Sequence, residues 1–173
     1  MYYAYAATPV GELLLGGDGT VLQAMYWMVY RYTPAPQADW VEDASQFQTV
    51  LTQLDEYFAG NRQVFDIPTL AQGTLFQKRI WQELSKIKYG ETRSYRQIAD
   101  AAGYPQAVRA VGAAIGRNPL AIVVPCHRVI ASNGNLTGFA GGIESKRTLL
   151  RHEGAAAQSP VPLPQPSSPG AVL

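Results

Sequence analysis

The sequence is poorest in the residues that carry covalent and metal chemistry. It has one cysteine, Cys126, and two histidines, His127 and His152, in 173 residues. A single thiol excludes an intramolecular disulfide and a cysteine-rich zinc module. No apolar run approaches the ~18 residues that would suggest a membrane span. The start, Met1-Tyr2-Tyr3-Ala4, lacks a basic stretch followed by an apolar one, so a cytoplasmic chain without a signal peptide is expected. Charge is sparse too, at 16% of residues against 47% hydrophobic. That is enough apolar material for a packed core, which excludes a wholly disordered chain. The length allows one ordinary domain, or two small ones sharing an interface.

Net charge is nearly absent, at +1, which on its face argues against a nucleic-acid partner. The total conceals an asymmetry. Residues 1–72 hold two basic and eight acidic residues, a net of −6, while residues 73–154 hold twelve basic and five acidic, a net of +7. Residues 155–173 carry no charge. Such a split points to a polyanion partner for the second half, the alternative being a solvated basic surface.

The first thirty residues read as a β-meander. Tyr2 to Ala7, Glu12 to Leu15 and Val21 to Val29 are strand-like, separated by turns at Pro9-Val10-Gly11 and Gly16-Gly17-Asp18-Gly19. Phe47, Val50, Leu51, Leu54, Tyr57 and Phe58 then recur at helical spacing until Gly60-Asn61. These predict an α/β N-terminal domain over residues 1–68, a small antiparallel sheet plus a helix, none of whose side chains resembles a catalytic set. Residues 66–73 read as a connector.

A mostly helical C-terminal domain is predicted over residues 73–154. Thr74 with Gln77 fits a capping box, and Phe76, Ile80, Leu84 and Ile87 share the next helix face until Tyr89-Gly90-Glu91. Ser94 with Gln97 repeats that spacing and opens a short helix ending near Gly103; Pro105 suits the first turn of another, running to about Asn118. The pair predicts a helix-turn-helix, winged-helix-like in type. On its second helix Val108, Val111 and Ile115 should face the core. Ala107, Arg109, Ala110, Ala113, Ala114 and Arg117 make the opposite face, smooth apart from two arginines. Such a face suits close approach to phosphate or a groove, the alternative being burial of the alanines against the first domain. A last helix is predicted over Ile143 to His152, with Gly154 behind it, and the Pro-rich residues 155–173 are expected to be disordered.

Ala121-Ile122-Val123-Val124 is apolar and β-branched, which predicts a buried strand ending in Pro125-Cys126-His127-Arg128. A loop from Ala131 to Gly142 with four glycines follows. A lone cysteine is most often an inert small hydrophobe. Beside His127 and Arg128, however, positive charge is expected to lower the thiol pKa from about 8.5 towards neutrality. Neighbours on an extended backbone point apart, so contact between Cys126 and His127 requires a turn or a bridging water.

Pro125-Cys126-His127-Arg128-Val129 resembles the active-site motif of the alkylguanine-DNA alkyltransferases, or methylated-DNA–protein-cysteine methyltransferases. The resemblance extends to Gly73-Thr74-Leu75-Phe76-Gln77, Tyr89-Gly90-Glu91-Thr92, Ser94-Tyr95, Arg109-Ala110-Val111-Gly112, Asn118-Pro119, residues 138–142 and Leu149-Leu150-Arg151-His152-Glu153-Gly154. Thr8-Pro9-Val10-Gly11 also looks like the family's N-terminal domain, so the likeness covers about residues 1–154.

The resemblance implies DNA repair by a single, self-inactivating transfer of a methyl or other alkyl group from the position-6 oxygen of guanine, with the position-4 oxygen of thymine as a further substrate. Cys126 would accept the group. His127 would act as base through water, oriented by Glu153, and Asn118 would order the active-site turn. Tyr95 would assist nucleotide rotation and donate to guanine N3. Arg109 would fill the gap left in the base stack, with Tyr95, Ser94, Ala107, Ala110, Ala113 and Arg117 also against DNA. Cys126, Val129, Phe139, Ala140 and Gly141 would hold the flipped base.

Implied as well are a monomer acting on double-stranded DNA that contains alkylated guanine, no membrane partner and no cofactor. Phe139 stands where the family commonly has Tyr and Ala140 where some members have Ser, which leaves the alkyl preference open. Some members carry zinc in the N-terminal domain; no cysteine or histidine precedes Cys126 to build that site. The competing readings are a non-catalytic sensor of alkylated DNA or helix-turn-helix regulator, and a Cys–His hydrolase. Alkyltransferase-like binders lack the acceptor cysteine, and a hydrolase needs a separate activating histidine.

Overall fold

Turn chemistry sets the opening strands in a computed structural model that describes residues 1–30 and 33–155. Strands β1 (Tyr2–Thr8) and β2 (Gly11–Gly17) are joined by a tight turn in which Thr8 Oγ1 donates to Gly11 O at 2.6 Å and Gly11 takes φ +122°. Asp18 closes the next turn, its Oδ1 accepting the backbone N–H of Thr20 and of Val21 at 2.8 Å each, before β3 (Leu22–Trp27). Ala4, Ala6, Leu13, Leu15, Met25 and Trp27 alternate onto the buried face. The expected antiparallel sheet gains a fourth member. β4 (Val41–Glu42) pairs with β1 in parallel, giving the order β3-β2-β1-β4. Two residues have no alternation to read, so this strand was invisible in the sequence.

Helix α1 (Gln48–Phe58) follows a single 3-10 turn capped by Asp43, and it buries Val50, Leu54 and Tyr57 as the spacing predicted. The connector runs beside β3, where Leu22 N–H donates to Pro68 O and Leu70 N–H to Leu22 O, both at 2.9 Å.

Both capping boxes form. Thr74 and Gln77 open α2 (Leu75–Leu84), and Ser94 and Gln97 open α3 (Tyr95–Ala102), which Gly103 ends at φ +87°. Helix α2 stops at Leu84, and Ile87 reaches the core from the following turn. Pro105 is not in a helix. It sits inside a turn closed by Ala107 N–H to Tyr104 O at 2.9 Å, where its fixed φ is equally at home, and α4 begins later, at Val108, and ends at Gly116. The short strands β5 (Arg93–Ser94) and β6 (Val129–Ile130) pair in parallel, and α5 (Ile143–His152) closes the domain. Ala155, expected to begin a disordered tail, is buried, with its N–H on Leu150 O at 2.9 Å. The rest of that tail, residues 156–173, lies outside the described residues.

Two seams join the halves. Met25 of β3 donates to Pro119 O at 2.7 Å and accepts from Ala121 N–H at 2.9 Å, which ties the sheet to the segment ahead of Cys126. Tyr57 and Trp27 of the first domain also reach side chains around that cysteine. Among the described residues no helix is long and apolar enough to cross a membrane.

Candidate functional site

Asn118 determines the shape of the segment that leads to Cys126. Its Nδ2 donates to Val124 O at 2.7 Å and its Oδ1 accepts Leu120 N–H at 3.0 Å, so one buried amide bridges both ends of the run. Val124 N–H bonds Leu120 O at 2.8 Å and Ile122 lies at φ +67°, a left-handed conformation that a β-branched residue rarely adopts. The expected strand over Ala121 to Val124 is therefore a tight turn. A β-branched apolar run reports burial, which is correct here, but it does not fix conformation when a side chain supplies the backbone partners. A single 3-10 turn, Cys126–Arg128, continues from it. The change of direction lets three consecutive side chains take different environments.

Each of the three is buried. His127 Nε2 lies 2.7 Å from Glu153 Oε1. Because a carboxylate only accepts, Nε2 carries the proton, and the neutral ring presents Nδ1 as a lone pair. Nδ1 has no hydrogen-bond partner among the described residues. Burial holds His127 below the ordinary histidine range, with the Glu153 hydrogen bond pulling the other way. Arg128 binds the same carboxylate twice, Nε to Oε2 at 2.8 Å and Nη2 to Oε1 at 3.0 Å, and Nη1 donates to Ile87 O at 2.6 Å. Burial would raise the Glu153 carboxyl, but hydrogen bonds from His127, Arg128 and Tyr57 outweigh it and hold the group far below its usual range.

The thiol behaves otherwise than its neighbours suggested. Burial pushes Cys126 up; the Asn118 side chain and the Lys146 charge oppose that, while Arg128 is committed to Glu153. Lys146 was not singled out in the sequence. It is buried beneath the site, where Nζ donates to Val129 O at 2.5 Å and to Thr137 O at 3.2 Å. Nζ also stands 5.9 Å from the ring centres of both Tyr95 and Phe139. Burial pushes this lysine down to about 8.

Around this core the structure gathers the residues expected at a base pocket. Val129 is buried, and Phe139 and Ala140 are partly exposed. Phe139 meets Trp27 edge-on at 5.9 Å. Gly141 is buried against the same indole, whose ring atoms would lie 2.8 Å from a Cβ, so only glycine lets the loop approach so closely. The Tyr95 hydroxyl accepts from Thr137 Oγ1 at 3.3 Å. A cleft of about 550 Å³ opens between β3 and the Asn118 turn, lined by Trp27, Asn118, Ala121 and Ala140 among others.

The outer face of α4 is largely as read from the sequence. Arg109, Ala110, Ala113 and Arg117 are exposed, and Ala107 is partly so. Ala114 departs from that reading: it is buried, and its carbonyl accepts the Trp81 indole N–H at 2.9 Å. Gly112 lies against the Tyr95 ring, which a Cβ added at Gly112 would meet at 3.6 Å, so Tyr95 stands at the edge of this face. The Ser94 hydroxyl caps α3 by accepting Gln97 N–H at 3.1 Å.

Two family models match the chain. The DNA-binding domain of 6-O-methylguanine DNA methyltransferase matches residues 75–155, and the ribonuclease-like domain of the same family matches residues 1–71. The chain belongs to the 6-O-methylguanine DNA methyltransferase family.

Relatives agree along nearly the whole length. A methylated-DNA–protein-cysteine methyltransferase of Methanosarcina acetivorans is 46% identical over 90% of this chain and 99% of its own. One from Mycobacterium bovis is 45% identical over 94% and 98%. Among solved structures, Mycobacterium tuberculosis OGT in complex with DNA superposes at a TM-score of 0.84, with 45% identity over 89% of this chain and 93% of that one.

Within this family frame, the sequence reading missed Tyr57 and the true employment of Arg128. Tyr57 Oη donates to Glu153 Oε1 at 2.6 Å from the opposite domain. A tyrosine in an apolar helical stripe signals that its hydroxyl needs a buried partner. Nothing local says the partner lies 96 residues away. His152 contacts Tyr57 O through Nε2 at 2.6 Å and serves the same seam.

Proposed function

We propose that this chain repairs DNA directly, moving a methyl or other alkyl group from the position-6 oxygen of guanine to the Cys126 sulfur, once per molecule. The reading covers the position-4 oxygen of thymine as a second substrate and places the reaction on chromosomal DNA in the cytoplasm. The observation that carries it is His127, its Nε2 on Glu153 and its Nδ1 without a partner among the described residues, next in the chain to a buried cysteine. In this reading residues 73–154 carry the DNA-binding and acceptor chemistry. The acidic residues 1–68 serve as a scaffold that keeps its own face off the polyanion.

The chemistry runs in one displacement. His127 Nδ1 takes the Cys126 proton through a bridging water, and Glu153 stabilises the imidazolium that forms. The thiolate attacks the alkyl carbon; the S–C bond forms as the C–O bond breaks, and the electron pair passes to the guanine. Tyr95 donates towards N3 as that charge develops. The products are unmodified guanine and a thioether, which has no easy hydrolytic exit, so the molecule is spent.

Reaching a stacked base requires flipping it out, at a cost of a few kcal/mol. Helices α3 and α4 act here as a helix-turn-helix in a winged-helix-like setting. The Ala107, Ala110 and Ala113 face comes close to the minor groove, Arg109 fills the vacated stack, and Ser94 and Arg117 contact the backbone. Val129, Phe139, Ala140 and Gly141 wall the base.

Intact mass spectrometry after incubation with a methylated-guanine duplex tests this. One added methyl group on Cys126, stoichiometric and without turnover, is expected, and Cys126→Ala should bind the lesion without gaining mass. Unmodified wild-type protein that still binds tightly would instead establish a lesion sensor.

A further inference from the structure

We infer that Tyr57, on the helix of the N-terminal domain, is a positioning residue for alkyl transfer: its hydroxyl sets how strongly Glu153 pulls on His127. The inference rests on the proposed transfer to Cys126 and assigns the first domain a part in it.

Three donors converge on one buried oxygen. Glu153 Oε1 accepts from Tyr57 Oη at 2.6 Å, from His127 Nε2 at 2.7 Å and from Arg128 Nη2 at 3.0 Å. Tyr57 is fully buried, and Glu153 is 4% exposed. Each donor that shares an oxygen draws charge from it, and in a low-dielectric interior that redistribution is felt by the others. The tyrosine therefore weakens the attraction between Glu153 and the imidazolium and keeps the His127 ring neutral, with Nδ1 free to take a proton.

The other charged and titratable groups around the relay are otherwise engaged. Arg128 is held by Glu153 and Ile87 O, and its guanidinium carbon lies 5.8 Å from the centre of the Tyr89 ring. Tyr89 Oη donates to His152 O at 3.2 Å, and His152 Nε2 contacts Tyr57 O. Lys146 donates to Val129 O and Thr137 O on the Cys126 side. Packing alone does not account for the hydroxyl, since phenylalanine would fill the same apolar volume without a buried oxygen to satisfy.

Removing the hydroxyl concentrates Glu153 on His127, which raises the imidazole pKa. A larger share of molecules then holds His127 protonated and unable to act as base at low pH, and the deficit disappears as pH rises. Single-turnover transfer from a methylated-guanine duplex is measured against pH for wild type, Tyr57→Phe and Leu54→Ala. Leu54 is a buried α1 residue among the core apolar side chains, so its truncation perturbs the domain without touching Glu153.

Tyr57→Phe is expected to move the acid-limb midpoint up by about 0.5 unit or more, with full recovery of rate near pH 8.5. Leu54→Ala should lower Tm and leave the midpoint in place. NMR titration of the His127 ring should show the same upward shift in Tyr57→Phe. An unshifted or lowered midpoint in a Tyr57→Phe protein that still folds overturns the inference, as does an equal shift in Leu54→Ala. Wild-type protein that gains no methyl group overturns the transferase reading and this inference with it; wild type that transfers, with Tyr57→Phe unshifted, overturns the inference alone.

Discussion

Arg128 grips Glu153 with two parallel hydrogen bonds, at 2.8 and 3.0 Å, so the cation two residues from Cys126 serves the carboxylate and not the thiol. Both side chains are buried. The pair gives the relay a fixed anion, and it explains why the neighbouring positive charge does not lower the Cys126 pKa.

Breaking that pair strands a buried charge. Arg128→Met should cost about 3–5 kcal/mol in urea unfolding, because Glu153 keeps only His127 and Tyr57 as donors. The double variant Arg128→Met, Glu153→Leu should recover part of the loss, since neither charge then needs a partner. A single variant as stable as wild type would show that the carboxylate is hydrated from outside.

Asn118→Ala removes both clamps on the turn. Two buried hydrogen bonds are lost, each worth about 1–3 kcal/mol where the remaining partner is stranded, and the left-handed Ile122 loses its restraint. Transfer should slow by roughly tenfold or more as Cys126 drifts from the relay. Asn118→Asp keeps the acceptor for Leu120 and loses the donor to Val124, so it should fall between wild type and Ala in both Tm and single-turnover rate. Equal rates in all three proteins would remove Asn118 from the site.

What the sequence made legible depended on whether a local rule was sufficient. Thr74–Gln77 and Ser94–Gln97 located two helix starts because a capping box is written in four consecutive residues. Cys126, His127 and Glu153 were legible through a motif, and the fold brings His127 onto Glu153 with Cys126 buried next to it in the chain. Asn118 was expected through the motif to order the turn, and it holds partners two and six residues on against the β-propensity of that run. Tyr57 and Lys146 work through contacts with residues that no local rule names, Tyr57 with Glu153 and Lys146 with two carbonyls. Periodicity shows only that such residues are buried. Pro105 illustrates the same limit, since its fixed φ suits a helix start and a turn equally, and only the Tyr104–Ala107 hydrogen bond decides.

Acid should attack the relay through Glu153. Its carboxyl is depressed below the ordinary 4.5, burial opposing and hydrogen bonds from His127 and Arg128 prevailing. A depressed carboxyl contributes stability that is fully present above its unfolded pKa and is lost as pH falls towards the folded value. Wild type should therefore lose stability more steeply than Glu153→Gln below about pH 4.5, although Gln is the weaker protein at neutrality. Urea midpoints collected from neutral pH into the acid range check this; parallel slopes would assign acid sensitivity elsewhere.

Arg109 offers the sharpest separation between chemistry and access. It is exposed on α4, away from the buried relay, so replacing it leaves the Cys126, His127 and Glu153 geometry alone. If its side chain occupies the space left by the flipped base, Arg109→Ala should slow repair in duplex DNA by roughly tenfold or more while leaving the reaction with free alkylated guanine unchanged. Arg109→Lys retains the charge and loses the planar guanidinium that can stack, so it should restore the salt dependence of binding but little of the duplex rate. Single-turnover rates on both substrates, measured at two salt concentrations, distinguish the contributions. Equal slowing on duplex and free base would mean that Arg109 acts on the reaction itself, and full rescue by Lys would reduce its role to phosphate attraction.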